Sequence, residues 1–303
     1  MSTTLLLTTF TRWLRVTLDG ALRLANVETL HEGLGIYFGL TRAGDEVFVV
    51  ARNLDLNQRP VHPHLPTNNV LVFPWPELDH PLRSWTVPGA SDLHQIRAHD
   101  DLLWIVSGRR PELLALEPQM GSVVGTVALA DLVPARWQHP PPPEHPDDRF
   151  HFNSLHFSGD RLWVLAHNWD YGSFAVEMSY PGPDAFLQKP QLRTIHPGLG
   201  RQSHDIWFDG RRLLVLDSAH GCLRTSEGST HPLGFPSPGY PRGLAVGRRW
   251  LFVAQGVVSD DREERQHGPS WLAILDRSTL KPCTAVEVGP FGNTCELLLV
   301  SEA

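Results

Sequence analysis

Apolar and polar positions alternate in blocks along the chain, and one block recurs. A Gly or Asp is followed within about two residues by an apolar, aromatic-rich run that ends at a small or polar residue. It reads GDEVFVVARN at 44–53, DDLLWIVSG at 100–108, GDRLWVLAHN at 159–168, GRRLLVLDSAHG at 210–221 and GRRWLFVAQG at 247–256. Short runs rich in β-branched and aromatic residues, bounded by turn residues, predict strands. Each follows a second short strand across a tight turn: EGLGIYF, LHQIRA, NSLHFS, HDIWF and RGLAV. Helical periodicity is nowhere sustained beyond about ten residues, which predicts an all-β chain.

A sixth copy is split between the ends. The chain closes on GNTCELLLVSEA and opens on TTLLLTTF, RWLRVTLDG and ALRLANVE. Joining them completes one more unit and removes the exposed sheet edges of an open array. Six units of about 50 residues each predict one six-bladed β-propeller domain over 1–303, closed into a ring by its N- and C-terminal strands. Seven blades is the rival count, because the stretch 32–87 is long. The run HPPPPEHP at 139–146 is too proline-rich for a central strand and predicts an extended loop between blades 3 and 4. A spacer is its simpler reading and a protein-partner site the sharper one. The stretch SDDREERQHG at 259–268 predicts a solvated hairpin loop.

Composition narrows the function. The 303 residues carry a net charge of −7, and only Lys189 and Lys281 are lysines. Such a chain is a poor nucleic-acid binder. Its three cysteines, Cys222, Cys283 and Cys295, lack CxxC spacing, which argues against a zinc module or disulfide framework. No apolar stretch reaches membrane-spanning length, and Met1 to Phe10 lacks the pattern of a signal peptide, so the expectation is a cytoplasmic protein with no membrane partner. Sixteen histidines are the unusual count. No GxSxG, HExxH, Walker loop or dinucleotide fingerprint occurs.

In a propeller, the starts of the inner strands converge on the axis. Aligning the apolar cores places Glu32, His94, Asn153, His204, Arg242 and Asn293 there. All are polar, and polar groups buried without partners cost about 1–3 kcal/mol each. A bound ion, water or polar ligand would satisfy them; a hydrated mouth without chemistry is the alternative. Glu32, His94, Asn153 and His204 form a candidate divalent-metal set. His156 and Glu296, each three residues further on, are candidate acid/base groups. His31 and His151 lie just outside the ring position. Trp104, Trp163 and Trp250 recur at near-equivalent places, which predicts packing between blades. Trp169, with Tyr171, falls outside the repeat and is a candidate pocket wall. His167 and His220 predict turn caps, and the other histidines surface loops.

The blade starts resemble the SMP-30/gluconolactonase/strictosidine synthase-like group of six-bladed propellers. Glu32-Gly33-Leu34 is similar to that group's E-G start, Asn153-Ser154-Leu155 to its N-G-L with Ser for Gly, and His204-Asp205-Ile206 stands where it has its Asp. The resemblance implies one divalent metal on the axis. The histidines replace oxygen donors and favour Zn²⁺, Mn²⁺, Fe²⁺ or Cu²⁺ over Ca²⁺. Two functions follow as expectations. The first is a metal-dependent hydrolase, lyase or isomerase for a small polar molecule, with His156 or Glu296 moving protons, Arg242 holding a substrate carboxylate or phosphate, and Asn293 and Trp169 contacting substrate. The second is a non-catalytic scaffold that presents the 139–146 loop to a protein.

Overall fold

A computed structural model describes residues 2–302, apart from 56 and 88. Six four-stranded antiparallel sheets form the blades of a propeller. The inner strands are Thr294–Ser301, Ile36–Ala43, Leu93–His99, Phe152–Ser158, His204–Phe208 and Tyr240–Val246 for blades 1 to 6. In blade 1 the C-terminal strand pairs with the N-terminal strand Thr3–Thr9, so the ring closes through both ends of the chain. The stretch 32–87 supplies one blade, not two.

Each blade face is apolar and must be covered by its neighbour. Six hydrophobic clusters do this, one at each blade interface. Trp104 packs from blade 3 against Tyr180 and Phe186 of blade 4. Trp163 stacks on Phe208 of blade 5 at 4.8 Å. Trp250 is only partly buried, beneath the Arg249 guanidinium.

Every inner strand breaks register with its neighbour beside the central cavity, and blade 1 has a second break between Thr4 and Leu5. Partner counting skips between Tyr37 and Leu40, Leu93 and Ile96, Phe152 and Ser154, His204 and Ile206, and Pro241 and Leu244. In blade 1 it skips Cys295, between Glu296 and Thr294. A β-bulge bends its strand and re-aims side chains. Here it turns a dipeptide from every blade toward the centre: Phe38-Gly39, His94-Gln95, Asn153-Ser154, His204-Asp205, Arg242-Gly243 and Cys295-Glu296. Side chains take up carbonyls at two of these breaks: Thr8 Oγ1 donates to Phe38 O and Thr294 Oγ1 to Arg242 O. Blades 2 and 3 approach so closely that a Cβ on Gly39 would lie 2.4 Å from His94 O.

Candidate metal centre at the axial mouth

The bulges place His94, Asn153, His204 and Arg242 on one tier around a central cavity of about 20 Å³. Two of the expected axial residues are elsewhere. Glu32 ends the outermost strand of blade 1, is largely exposed and pairs with Arg12 at 3.0 Å. The cause is local. Gly33 and Gly35 adopt φ of +91° and +90°, so the segment crosses between blades before the inner strand begins at Ile36. The blade 2 residue on the axis is therefore the apolar Phe38. Asn293 lies in the loop before its strand, buried against Gly256; Cys295 holds the axial place. Burial pushes the Cys295 thiol up to about 12.

Asn153 is on the axis with its amide engaged. Nδ2 donates to Ser203 O at 2.9 Å, and Oδ1 accepts from Ser154 Oγ at 2.8 Å. The two histidines differ. His94 Nε2 and His204 Nε2 are both buried and without a hydrogen-bond partner among the described residues. Burial holds His94 down to about 3 and His204 well below the ordinary imidazole range, with nearby charges including Arg242 adding to the effect. Near neutral pH both are uncharged lone-pair donors.

Two residues that sequence alignment had left off the axis complete the cluster. Asp92, two residues before His94, and His151 bring their ligand atoms and that of His94 within 4.8 Å of one another. Asp92 Oδ1 and His94 Nε2 are 3.6 Å apart. Two donors bound at about 2.0–2.1 Å stand about 3.3–3.4 Å apart on a tetrahedral ion and about 3.5–3.6 Å apart on a trigonal one, so this pair is close to the separation a transition metal needs. Burial would raise the Asp92 carboxyl, but Arg52 and the two imidazoles outweigh it and hold it below the usual range. His151 Nδ1 donates to Asp148 Oδ2 at 2.6 Å, which leaves Nε2 free. A carboxylate behind an imidazole is a common way to aim a metal ligand.

The rings continue around the mouth: His94 to His151 at 4.7 Å, His151 to His167 at 5.2 Å and His167 to His204 at 5.5 Å between centroids. His167, expected at a turn, is buried in this arc. Its Nδ1 accepts from the Trp169 N–H at 3.2 Å, so Nε2 carries the proton and faces Tyr240 Oη at 3.4 Å. Trp169 stands at the mouth, 5.1 Å from His151, stacked on His145 at 4.5 Å. His139 stacks on Tyr171 at 4.2 Å, so the proline run 139–146 is pinned at both ends beside the histidines.

A second tier lies one residue further along the strands. Gln95 donates to Asp205 Oδ1 at 2.6 Å, Gly243 N to Asp205 Oδ2 at 2.7 Å, and Arg97 bonds Glu296 at 3.2 Å. Burial, then the charge of Glu296, raises Asp205 well above the ordinary carboxyl range. Glu296 thus lines the cavity. His156 does not: it lies some 10 Å beyond Asn153 at about 3.3 Å per residue, packed near Trp163 at 6.1 Å. Arg242 spans the tiers. Its Nε is buried without a partner, its guanidinium lies over Tyr240 at 5.0 Å, and it forms no ion pair among the described residues.

No known protein family matches the sequence, and no curated protein matches it. Solved structures do match the fold. A chain of a nidogen/laminin complex is 10% identical, with a TM-score of 0.63 over 98% of both chains. A Lactobacillus plantarum protein is 13% identical, with a TM-score of 0.63 over 99% of this chain and 100% of that one. The periplasmic gluconolactonase of Pseudomonas aeruginosa is 16% identical, with a TM-score of 0.59 over 99% of each chain. Among the described residues no helix is long and apolar enough to cross a membrane. These similarities establish that the chain shares the propeller fold of proteins that include a gluconolactonase.

Proposed function

We propose that the chain is a metal-dependent enzyme of the hydrolase kind, acting on a small polar molecule at the histidine-lined mouth. The observation that carries the reading is the compact set Asp92, His94 and His151, in which a buried imidazole nitrogen without a partner stands at ligand separation from a carboxylate. A divalent transition metal held there would polarise a carbonyl and lower the pKa of a bound water. The likeness to the SMP-30/gluconolactonase-like group supports hydrolysis, and the change from oxygen to nitrogen donors favours Zn²⁺, Mn²⁺, Fe²⁺ or Cu²⁺ over Ca²⁺.

The protein's own groups supply the rest. Arg52 balances the Asp92 charge, and Asp148 aims His151. Arg242, the cation at the axis with no carboxylate against it, receives a carboxylate or phosphate of the substrate through its planar fork. Trp169 walls the entrance. Glu296, bonded by Arg97 beside Asp205, stands at the base of the cavity as an acid/base group. The test is metal content of the untagged protein, followed by hydrolysis of a panel of lactones and small esters by wild type and His94→Ala/His151→Ala. Stoichiometric metal and activity, both lost in the double variant, support the reading. A metal-free wild type points to the scaffold function instead.

A further inference from the structure

We propose that the cleft between blades 5 and 6, at the end of the ring opposite the histidine mouth, is a binding site for a small organic phosphate. It stands independently of the metal-centre reading.

Asp209 follows the far end of the inner strand that begins at His204, so the cleft lies about 16 Å along that strand from the axial tier. Its volume is about 500 Å³, room for a small molecule. Arg212, Arg248, Arg249 and Arg277 line it, with Asp209 and Asp276. The two carboxylates neutralise little of this charge. Asp209 pairs with Arg212, which Glu227 also binds. Asp276 Oδ1 is taken up by its own turn, accepting from Ser278 Oγ at 2.6 Å and from Thr279 N and Oγ1 at 2.9 Å.

Arg249 and Arg277 are left without an ion pair among the described residues. Each guanidinium lies over an indole, Arg249 on Trp250 at 4.5 Å and Arg277 on Trp207 at 4.9 Å. Arg277 is fixed further by Nη1, which donates to Gly247 O at 2.8 Å, and its backbone N–H donates to Arg249 O at 2.9 Å. A guanidinium stacked on an aromatic face keeps its N–H edge free to take two oxygens of a phosphate.

The equivalent cleft between blades 2 and 3 shows that the fold does not require these cations. Leu251 pairs with Leu275 as Leu103 pairs with Leu116, and Leu214 with Trp207 as Phe48 with Thr41. In that register Arg212, Arg248 and Arg249 correspond to Glu46, Asp100 and Asp101, and Arg277 to Pro118. The two clefts are nearly equal in volume, about 510 Å³ against 500 Å³, and opposite in charge. The arginines therefore belong to this cleft and not to blade packing. The chain's net charge of −7, with Glu227 and Glu302 beside the cleft, disfavours a polyanion and suits a compact one.

The experiment is isothermal titration calorimetry with inorganic phosphate and with glycerol phosphate at constant ionic strength. It uses wild type, Arg249→Gln, Arg249→Gln/Arg277→Gln, Asp100→Asn/Asp101→Asn and Arg242→Gln. The last variant removes the axial cation, which the proposed function also gives to an oxyanion. Both phosphates should bind saturably to wild type, to Arg242→Gln and to Asp100→Asn/Asp101→Asn. Binding to Arg249→Gln/Arg277→Gln should be weaker by at least about tenfold, the worth of one hydrogen bond to a charged group. No saturable binding by wild type overturns the proposal. So does binding that is lost in Arg242→Gln and kept in Arg249→Gln/Arg277→Gln. Should that double variant not fold, Arg249→Gln carries the test, since its side chain is exposed: wild-type affinity there overturns the proposal.

Discussion

Lowering the pH from 7.5 to 5 should destabilise the metal-free protein sharply, because three imidazoles are buried uncharged and a fourth, His156, is partly buried. His94 is held at about 3 and His156 at about 4, and His167 and His204 lie well below the ordinary value, in each case first through burial. In the unfolded chain a histidine titrates near 6.5. At pH 5 the unfolded state has taken up these protons and the folded state has not, so stability falls as pH drops below about 6.5. For a group moved from 6.5 to 3 or 4, the loss between pH 7.5 and 5 is about 2 kcal/mol. His94 and His156 together give about 4 kcal/mol, a large part of the 5–15 kcal/mol of a typical domain. His167 and His204 act in the same direction. Asp205 acts in the opposite one: its carboxyl is raised, so its penalty is relieved as pH falls through its folded value. One such group offsets part of the loss from four. Urea unfolding at the two pH values measures the difference, and His94→Gln/His156→Gln should remove about 4 kcal/mol of the pH dependence. Equal or greater stability at pH 5 would refute the claim that these rings are held neutral in the folded protein.

Other outcomes follow from the same geometry. Glu32→Ala should cost at most about 1 kcal/mol, since its pair with Arg12 is exposed, and should leave metal content unchanged. Gly39→Ala should destabilise by about 1–3 kcal/mol or more in urea unfolding, because the new methyl meets the backbone of blade 3. Trp163→Ala should cost about 3–5 kcal/mol, and Trp250→Ala clearly less, since Trp250 is only partly buried.

The blades were legible because each repeats one strand pattern with one turn, and the split sixth copy could be read from the chain ends. The axial residues were legible only where apolar spacing matched strand spacing. His94, Asn153, His204 and Arg242 open their apolar cores directly, so alignment found them. The Gly33-Leu34-Gly35 crossing looks like strand but is not, and it moved the expected axial residue from Phe38 to Glu32. Asn293 was misplaced by two residues for a similar reason, with Gly292 just before it at φ +76°. His151 and Asp92 come from segments leading into the inner strands, and His167 from the end of a second strand. Their convergence depends on loop conformation, which periodicity does not encode. The D-x-H spacing at 92–94 was the local signal in the sequence for the Asp92, His94 and His151 cluster.

Elemental analysis of the purified, untagged protein bears most directly on the central claim. One equivalent of a divalent transition metal in wild type, lost in His94→Ala/His151→Ala and retained in Glu32→Ala, is the predicted result. A folded wild type that takes up no Zn²⁺, Mn²⁺, Fe²⁺ or Cu²⁺, or a double variant that keeps its full equivalent, would contradict it.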